Sequence, residues 1–278
     1  MRFANLDGRM QLLVRGGTID VARASGDKLP SDPQACLDGW DDLVAWAEGA
    51  SDADATVQSG PLLAPVPRPR QVVGIALNYQ NHVGESNFSA PEDPSAFTKF
   101  PSSIAGPGSD IPIESGTVDW EVELVAVMGR RAHHIPEGRG WDYVAGLTVG
   151  QDISDRAVQL RGPAPQFSLG KSFPAFGPIG PELVTVDEFE DADDLAIECS
   201  VNGRQVQHAR TSELIFSVAE LVSRLSAIIT LYPGDLIFTG TPAGVGHART
   251  PPEYLQPGDE LASTIEGIGT LHNNCVAP

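Results

Sequence analysis

The sequence predicts an α+β fold that is mostly β, and three observations carry that prediction. Short apolar runs bounded by Gly, Pro and Asn recur along the chain. One amphipathic helical pattern stands out, at residues 212–230. The strands do not alternate with helices in the βα order of a doubly wound sheet.

Residues 1–59 read as a small N-terminal α+β unit. Runs 10–14 and 18–22 flank Gly16-Gly17, a hairpin signal, and Trp40, Leu43, Val44 and Trp46 mark an amphipathic helix. Residues 60–70 hold four prolines in eleven positions, the composition of an extended connector and the best domain boundary. Residues 71–278 form the remaining, strand-rich domain. The run 72–76 is a buried strand, and residues 86–95 have little to bury and read as a mobile loop. The run 118–129 is a long apolar strand, and 146–151 a shorter one ending at Asp152. Asn202-Gly203 separates two strand-like runs and signals a second hairpin. In the helix 212–230, Leu214, Ile215, Val218, Leu221, Val222, Leu225, Ile228 and Ile229 keep the helical period, with Ser212 as N-cap and Pro233-Gly234 as the stop.

Composition narrows the function. With 41% hydrophobic and 20% charged residues the chain is a folded globular type, long enough for a full core. No run approaches the ~18 apolar residues of a membrane span, and residues 1–9 lack the apolar stretch of a signal peptide. The expected location is therefore cytoplasmic. A formal charge of −19 speaks against nucleic acid and anionic membranes as partners. If the substrate is an anion, a few local cations must reverse the field, and only Lys28, Lys99 and Lys171 stand beside fifteen arginines. Cys36, Cys199 and Cys275 show neither metal-ligand spacing nor a disulfide framework.

Glu121 and Glu123 are the most informative residues. Two apart in an apolar strand, they point to the same face, roughly 7 Å apart by strand rise. Two buried like charges are costly unless a cation lies between them. With Asp152 they offer the oxygen donors of a hard divalent ion; a solvated acidic face or one protonated acid is the plainer alternative. His82 and Glu85, three apart, have the spacing of an oriented imidazole base, or of an ordinary surface pair. Gly170-Lys171-Ser172 is not a phosphate loop, because the required glycine five residues earlier is Pro165. Lys171, among Phe167, Phe173 and Phe176, reads as a partly buried cation facing an anion. The loop 239–246 could present N–H groups and hydroxyls to carboxylate oxygens. Arg156 and Gln159 would face the same region if a helical turn follows Asp152.

These pieces come in a familiar order: Gly74-x-Ala76-x-Asn78-Tyr79-x-x-His82-x-x-Glu85, Phe97-Thr98-Lys99, Glu121-x-Glu123, Gly150-x-Asp152-x-Ser154-x-Arg156-x-x-Gln159, Gly170-Lys171-Ser172-Phe173, and Thr239-Gly240-Thr241-Pro242-x-Gly244-Val245-Gly246. In this the chain resembles the fumarylacetoacetate hydrolase superfamily over roughly residues 70–275. The resemblance implies a mixed β-roll catalytic domain, a homodimer, and Mg²⁺ or Mn²⁺ held by Glu121, Glu123 and Asp152. It implies a small anionic oxo-acid substrate bound by Tyr79, Lys99, Arg156, Gln159 and Thr241. His82, oriented by Glu85, would activate water, the loop 84–96 would be the lid that excludes bulk water and brings His82 in, and Lys171 would help stabilise the departing enolate. The expected reaction is hydrolysis of a C–C bond in an acylpyruvate or related β-diketo acid (the fumarylpyruvate and acetylpyruvate class), in aromatic catabolism. The alternative on the same site is an oxaloacetate-type decarboxylase or a 2-hydroxydienoate isomerase, and a third reading is a non-catalytic oxo-acid binding protein. Two departures from the family pattern, Phe100 ahead of Pro101 and Asp155 after Ser154, lie near the expected pocket and bear on substrate identity.

Overall fold

The structure, a computed structural model, describes residues 1–81 and 91–278. The chain opens with β1 (Arg2–Leu6), β2 (Arg9–Val14) and β3 (Gly17–Asp20), then α1 (Val21–Ala24), α2 (Pro33–Asp38) and α3 (Trp40–Ala47). β4 (Leu62–Leu63), β5 (Val72–Ala76), β6 (Ser95–Thr98), β7 (Ile104–Ala105), β8 (Ile111–Pro112) and β9 (Val118–Asp119) lead to the central pair β10 (Val122–Met128) and β11 (Val144–Gln151). After β12 (Ser154–Asp155) come two single-turn helices, α4 (Arg156–Gln159) and α5 (Phe167–Gly170), and then β13 (Gly177–Val184). The last third holds β14 (Ala196–Val201), β15 (Arg204–Arg210), the helix α6 (Val218–Ser226), β16 (Leu236–Phe238), β17 (Glu260–Ile265) and β18 (Gly269–Val276).

The predicted mostly-β α+β class is what the chain adopts. One sheet runs β3-β2-β1-β13-β11-β10-β16-β5-β6, with β4 and β7 attached, and a second runs β15-β14-β17-β18-β8. All seven residues of β10 are buried. Its alternate side chains serve two cores, as the two-residue period of a strand requires. Val122, Leu124, Ala126 and Met128 pack with Leu147, Val149, Ile197, Leu261 and Leu271, between the two sheets. Val125 and Val127 pack on the other side with Phe3, Met10, Trp40, Leu43 and Phe238. A strand covered on both faces reads as one continuous apolar run, which is why 118–129 was conspicuous in sequence.

The N-terminal residues do not stand apart. β1 pairs antiparallel with β13, Arg2 opposite Val184, so the hairpin extends the central sheet and α2 and α3 close its outer face. The proline-rich stretch is extended as expected, but β4 pairs with β1 and Asn5 donates to the Ala64 carbonyl at 2.8 Å. It is a strap laid along the sheet. β1 itself was missed, although Asp7-Gly8 is a hairpin signal; the pair has φ of 52° and 80°. Asn202 and Gly203, with φ of 51° and 75°, make the expected turn between β14 and β15.

The predicted helix 212–230 is shortened to Val218–Ser226, capped by Ser217 rather than Ser212. The cause is Asn78, which takes the amides a longer helix would need. Its carbonyl accepts from Ile215 N at 2.8 Å and its side chain from Phe216 N at 2.8 Å. Periodicity cannot reveal a side chain that claims backbone amides from 138 residues away. Among the described residues no helix is long and apolar enough to cross a membrane.

Candidate metal centre and its cavity

The expected continuous strand through Glu121 is broken. β9 ends at Asp119 and β10 begins at Val122, with Trp120 and Glu121 between. Two glutamines act where strand partners would. Gln151 Oε1 accepts from Glu121 N at 2.9 Å, and Gln207 Oε1 accepts from Val122 N at 3.0 Å. Asp152 N donates to the Glu121 carbonyl at 2.9 Å, tying the two ligand-bearing segments together. One oxygen from each of Glu121, Glu123 and Asp152 lies within 4.8 Å of the others, and all three residues are buried.

Cations surround this cluster on two sides. Lys171 Nζ donates to Glu121 Oε2 at 2.8 Å, Asp152 Oδ2 at 2.7 Å and Ser154 Oγ at 2.8 Å. Burial pulls Lys171 down, but Asp152 and Glu121 outweigh it and its affinity for the proton rises overall. Arg156 bridges Asp119 Oδ2 at 2.8 Å and Glu121 Oε1 at 2.7 Å. Asp119 in turn accepts from Gly246 N at 2.7 Å and His247 N at 2.9 Å, so it pins the 244–247 loop to the centre. Among the described residues Glu123 has one hydrogen bond, from Gly240 N at 2.8 Å. Burial first, then Asp152 and Glu121, push Glu123 well above the usual carboxylate range. Gly240 turns that N–H inward with φ of +103°, a conformation that side chains rarely adopt.

The donor set fits a hard divalent cation. It is all carboxylate oxygen, and its most strained member, Glu123, is the one an added positive charge would relieve.

The cluster opens into a cavity of about 760 Å³. Of the residues expected from sequence, Glu121, Arg156, Gln159, Lys171 and Thr241 line it. Arg156 and Gln159 sit on α4 as anticipated, with Arg156 Nη1 donating to Gln159 Oε1 at 2.8 Å, which leaves the glutamine amide nitrogen for another acceptor. Asp155 is a helix cap, accepting from Ala157 N at 3.0 Å and Val158 N at 3.2 Å, and so serves α4 rather than a ligand. Gly170 permits the close contact between α5 and α4 that delivers Lys171; a Cβ there would lie 2.5 Å from Gln159 N.

Three expectations for substrate contact change. Lys99 is fully buried and does not line the cavity. Its Nζ meets Asp152 Oδ1 at 2.6 Å and the carbonyls of Lys171 and Phe176, so it props Asp152 from behind. Burial outweighs Asp152 here and lowers the lysine pKa. Tyr79 is likewise fully buried and is not part of the cavity lining. Thr241 lines the cavity, yet its hydroxyl donates to Val122 O at 2.9 Å and accepts from Gln207 at 2.8 Å. Its proton is therefore committed to the protein. His82, Glu85 and most of the expected lid, 84–90, lie outside the described residues. Asp119, His247 and Arg249 were missed. Asp119 had a signal, an acid two residues before Glu121; His247 and Arg249 had none, since only the fold brings the 247–250 segment to the cavity.

Comparison with known proteins agrees with this geometry. The model of the fumarylacetoacetate (FAA) hydrolase C-terminal family matches residues 71–276. The mitochondrial oxaloacetate tautomerase Fahd2a of Rattus norvegicus is 46% identical over 77% of this chain and 69% of its own. A solved structure from Mycobacterium smegmatis, provisionally named an HpcE protein, is 52% identical with a TM-score of 0.97, covering 100% of this chain and 99% of that one. The maleylpyruvate hydrolase of Sphingobium sp. SYK-6, solved with manganese(II) and pyruvate, is 25% identical with a TM-score of 0.83, covering 100% and 99%.

Proposed function

The chain belongs to the fumarylacetoacetate hydrolase family, and from that premise we propose that it is a divalent-metal enzyme of oxaloacetate-type chemistry. It would move the enol or enolate proton of a small 2-oxo acid, by tautomerisation or the related isomerisation or decarboxylation. The observation that carries this reading is the convergence of Glu121, Glu123 and Asp152, with Glu121 at the wall of a cavity that also presents Arg156, Gln159 and Lys171. A Mg²⁺ or Mn²⁺ ion held by the three carboxylates would supply positive charge against the 1-carboxylate and 2-oxo oxygens.

The chain's own residues do the rest. Arg156 and Lys171 stay protonated beside Glu121 and keep a positive field on the oxygen where enolate charge develops. The Gln159 amide offers a donor whose orientation is set by Arg156. Phe97, Phe167 and Leu160 give the same cavity an apolar wall. Enol-to-keto conversion then places a proton on C3 and removes one from the 2-hydroxyl oxygen.

Hydrolysis of an acylpyruvate is the second reading, supported by the maleylpyruvate hydrolase likeness. It needs an attacking water as well as the enolate site, and His82 with Glu85 is the pair proposed for that step. Homodimerisation remains part of the proposal on family grounds.

The test is chelator-stripped protein with and without Mg²⁺ or Mn²⁺. Enol-oxaloacetate is followed by its ultraviolet absorbance, with CO₂ release and pyruvate release from acetylpyruvate and fumarylpyruvate measured separately. Metal-dependent loss of the enol without pyruvate from either diketo acid supports the first reading. Pyruvate from a diketo acid without CO₂ replaces it with the second.

A further inference from the structure

The cations at the inner end of the cavity are already engaged. Lys171 faces Asp152 and Glu121, and Arg156 spans Asp119 and Glu121. A divalent ion there would suit one carboxylate with its 2-oxo group. The outer wall is different. Arg249 stacks over the Trp120 ring at 5.6 Å, next in sequence to Glu121, and lines the same cavity. One of its nitrogens, Nη2, braces the loop by donating to Val206 O at 3.0 Å and Gly244 O at 3.3 Å. Among the described residues Nε is buried without a hydrogen-bond partner, and Nη1 comes no closer to an acid than 3.8 Å, at Glu253. Glu253 is drawn away by a direct hydrogen bond from Arg204. Arg249 is thus the least neutralised cation on the cavity wall, in a chain of formal charge −19. His247 lines the cavity two residues away with Nδ1 at 2.9 Å from the Tyr254 hydroxyl.

We infer that Arg249, assisted by His247, forms a subsite for a second carboxylate, so that the substrate is a 2-oxo dicarboxylate. The inference rests on the oxo-acid reading above. A simple loop brace would use the two backbone contacts of Nη2 and leave affinity for dicarboxylates and monocarboxylates in constant ratio. A subsite changes that ratio, because only the dicarboxylate carries a group for the guanidinium to pair with.

The experiment is calorimetric titration of the full, Mn²⁺-loaded chain with pyruvate and with 2-oxoglutarate, which share the 2-oxo acid head and differ in the second carboxylate. The wild type is expected to bind 2-oxoglutarate the more tightly. Arg249→Met should weaken 2-oxoglutarate about tenfold while pyruvate changes little, and Arg249→Lys should recover part of the loss. If Arg249→Met melts early, Arg249→Gln and His247→Ala read the same ratio. Equal weakening of both acids, or of neither, overturns the subsite and makes Arg249 a brace. A wild type that binds both acids equally overturns the subsite alone. A wild type that binds neither acid removes the oxo-acid reading, and the subsite with it.

Discussion

Asp235 and Glu123 are two buried acids on the same pair of strands, and their surroundings differ in kind. Asp235 sits at the start of β16, where Met128 N donates to its carbonyl at 2.9 Å. Its carboxylate collects Gln71 N at 3.0 Å, Gln71 Nε2 at 2.6 Å and Tyr232 N at 2.8 Å. Burial raises its pKa, and these donors hold the rise in check. At the other end of the pair Glu123 has, among the described residues, one N–H and two neighbouring carboxylates. Asp235 fastens a Pro-Gly turn and is complete within the protein. Glu123 is not, and its deficit is positive charge. Burial of an acid alone says little about function; burial of an acid among other acids does.

The severest way to break this contrast is to remove a cation that already serves the centre. Lys99→Met leaves the fully buried Asp152 without its 2.6 Å partner. The expected loss is about 3–5 kcal/mol of stability, read by urea unfolding in the presence of chelator. Unchanged unfolding would show that Lys99 does not support the acid cluster. Next is Glu123→Gln, which keeps an acceptor for Gly240 N. Divalent affinity should fall by more than the ~10–100-fold typical of removing an outer-shell partner, while the metal-free protein melts no lower than wild type. Asp235→Ala should behave in the opposite way. It leaves three donors without an acceptor and should cost about 1–3 kcal/mol by the same unfolding assay, with Mn²⁺ affinity unaltered.

The smallest effect is a pH dependence in chelator. Glu123's folded pKa lies above its ordinary value of 4.5. Its contribution to stability is therefore present below that value and lost as pH rises toward the folded pKa, at about 1.4 kcal/mol per unit of displacement. Metal-free wild type should lose ground to Glu123→Gln as pH rises above 4.5. Parallel melting curves for the two proteins would show that Glu123 is not held above its normal range.

The sequence disclosed much of the centre because its logic is local. Glu-x-Glu in an apolar run, an acid closing the next strand, and Arg156 three before Gln159 are all visible within short windows, and the fold brings them together. What stayed hidden acts across long separations. Gln151 and Gln207 replace strand partners and break the strand at Trp120–Glu121, the latter from 85 residues away. Asn78 truncates the helix at its N-terminal end. Lys99 reads in sequence like any cation near a motif, and only its burial behind Asp152 separates support from contact. The N-terminal unit looked detachable because strand pairing between β1 and β13 leaves no local trace in either segment.

The most direct test is a Mn²⁺ titration of chelator-stripped protein followed by electron paramagnetic resonance, run beside Glu123→Gln and Asp235→Asn. The account predicts one bound ion per chain in wild type and in Asp235→Asn, and loss of that ion in Glu123→Gln. No bound ion in wild type, or binding that survives Glu123→Gln undiminished, would contradict it.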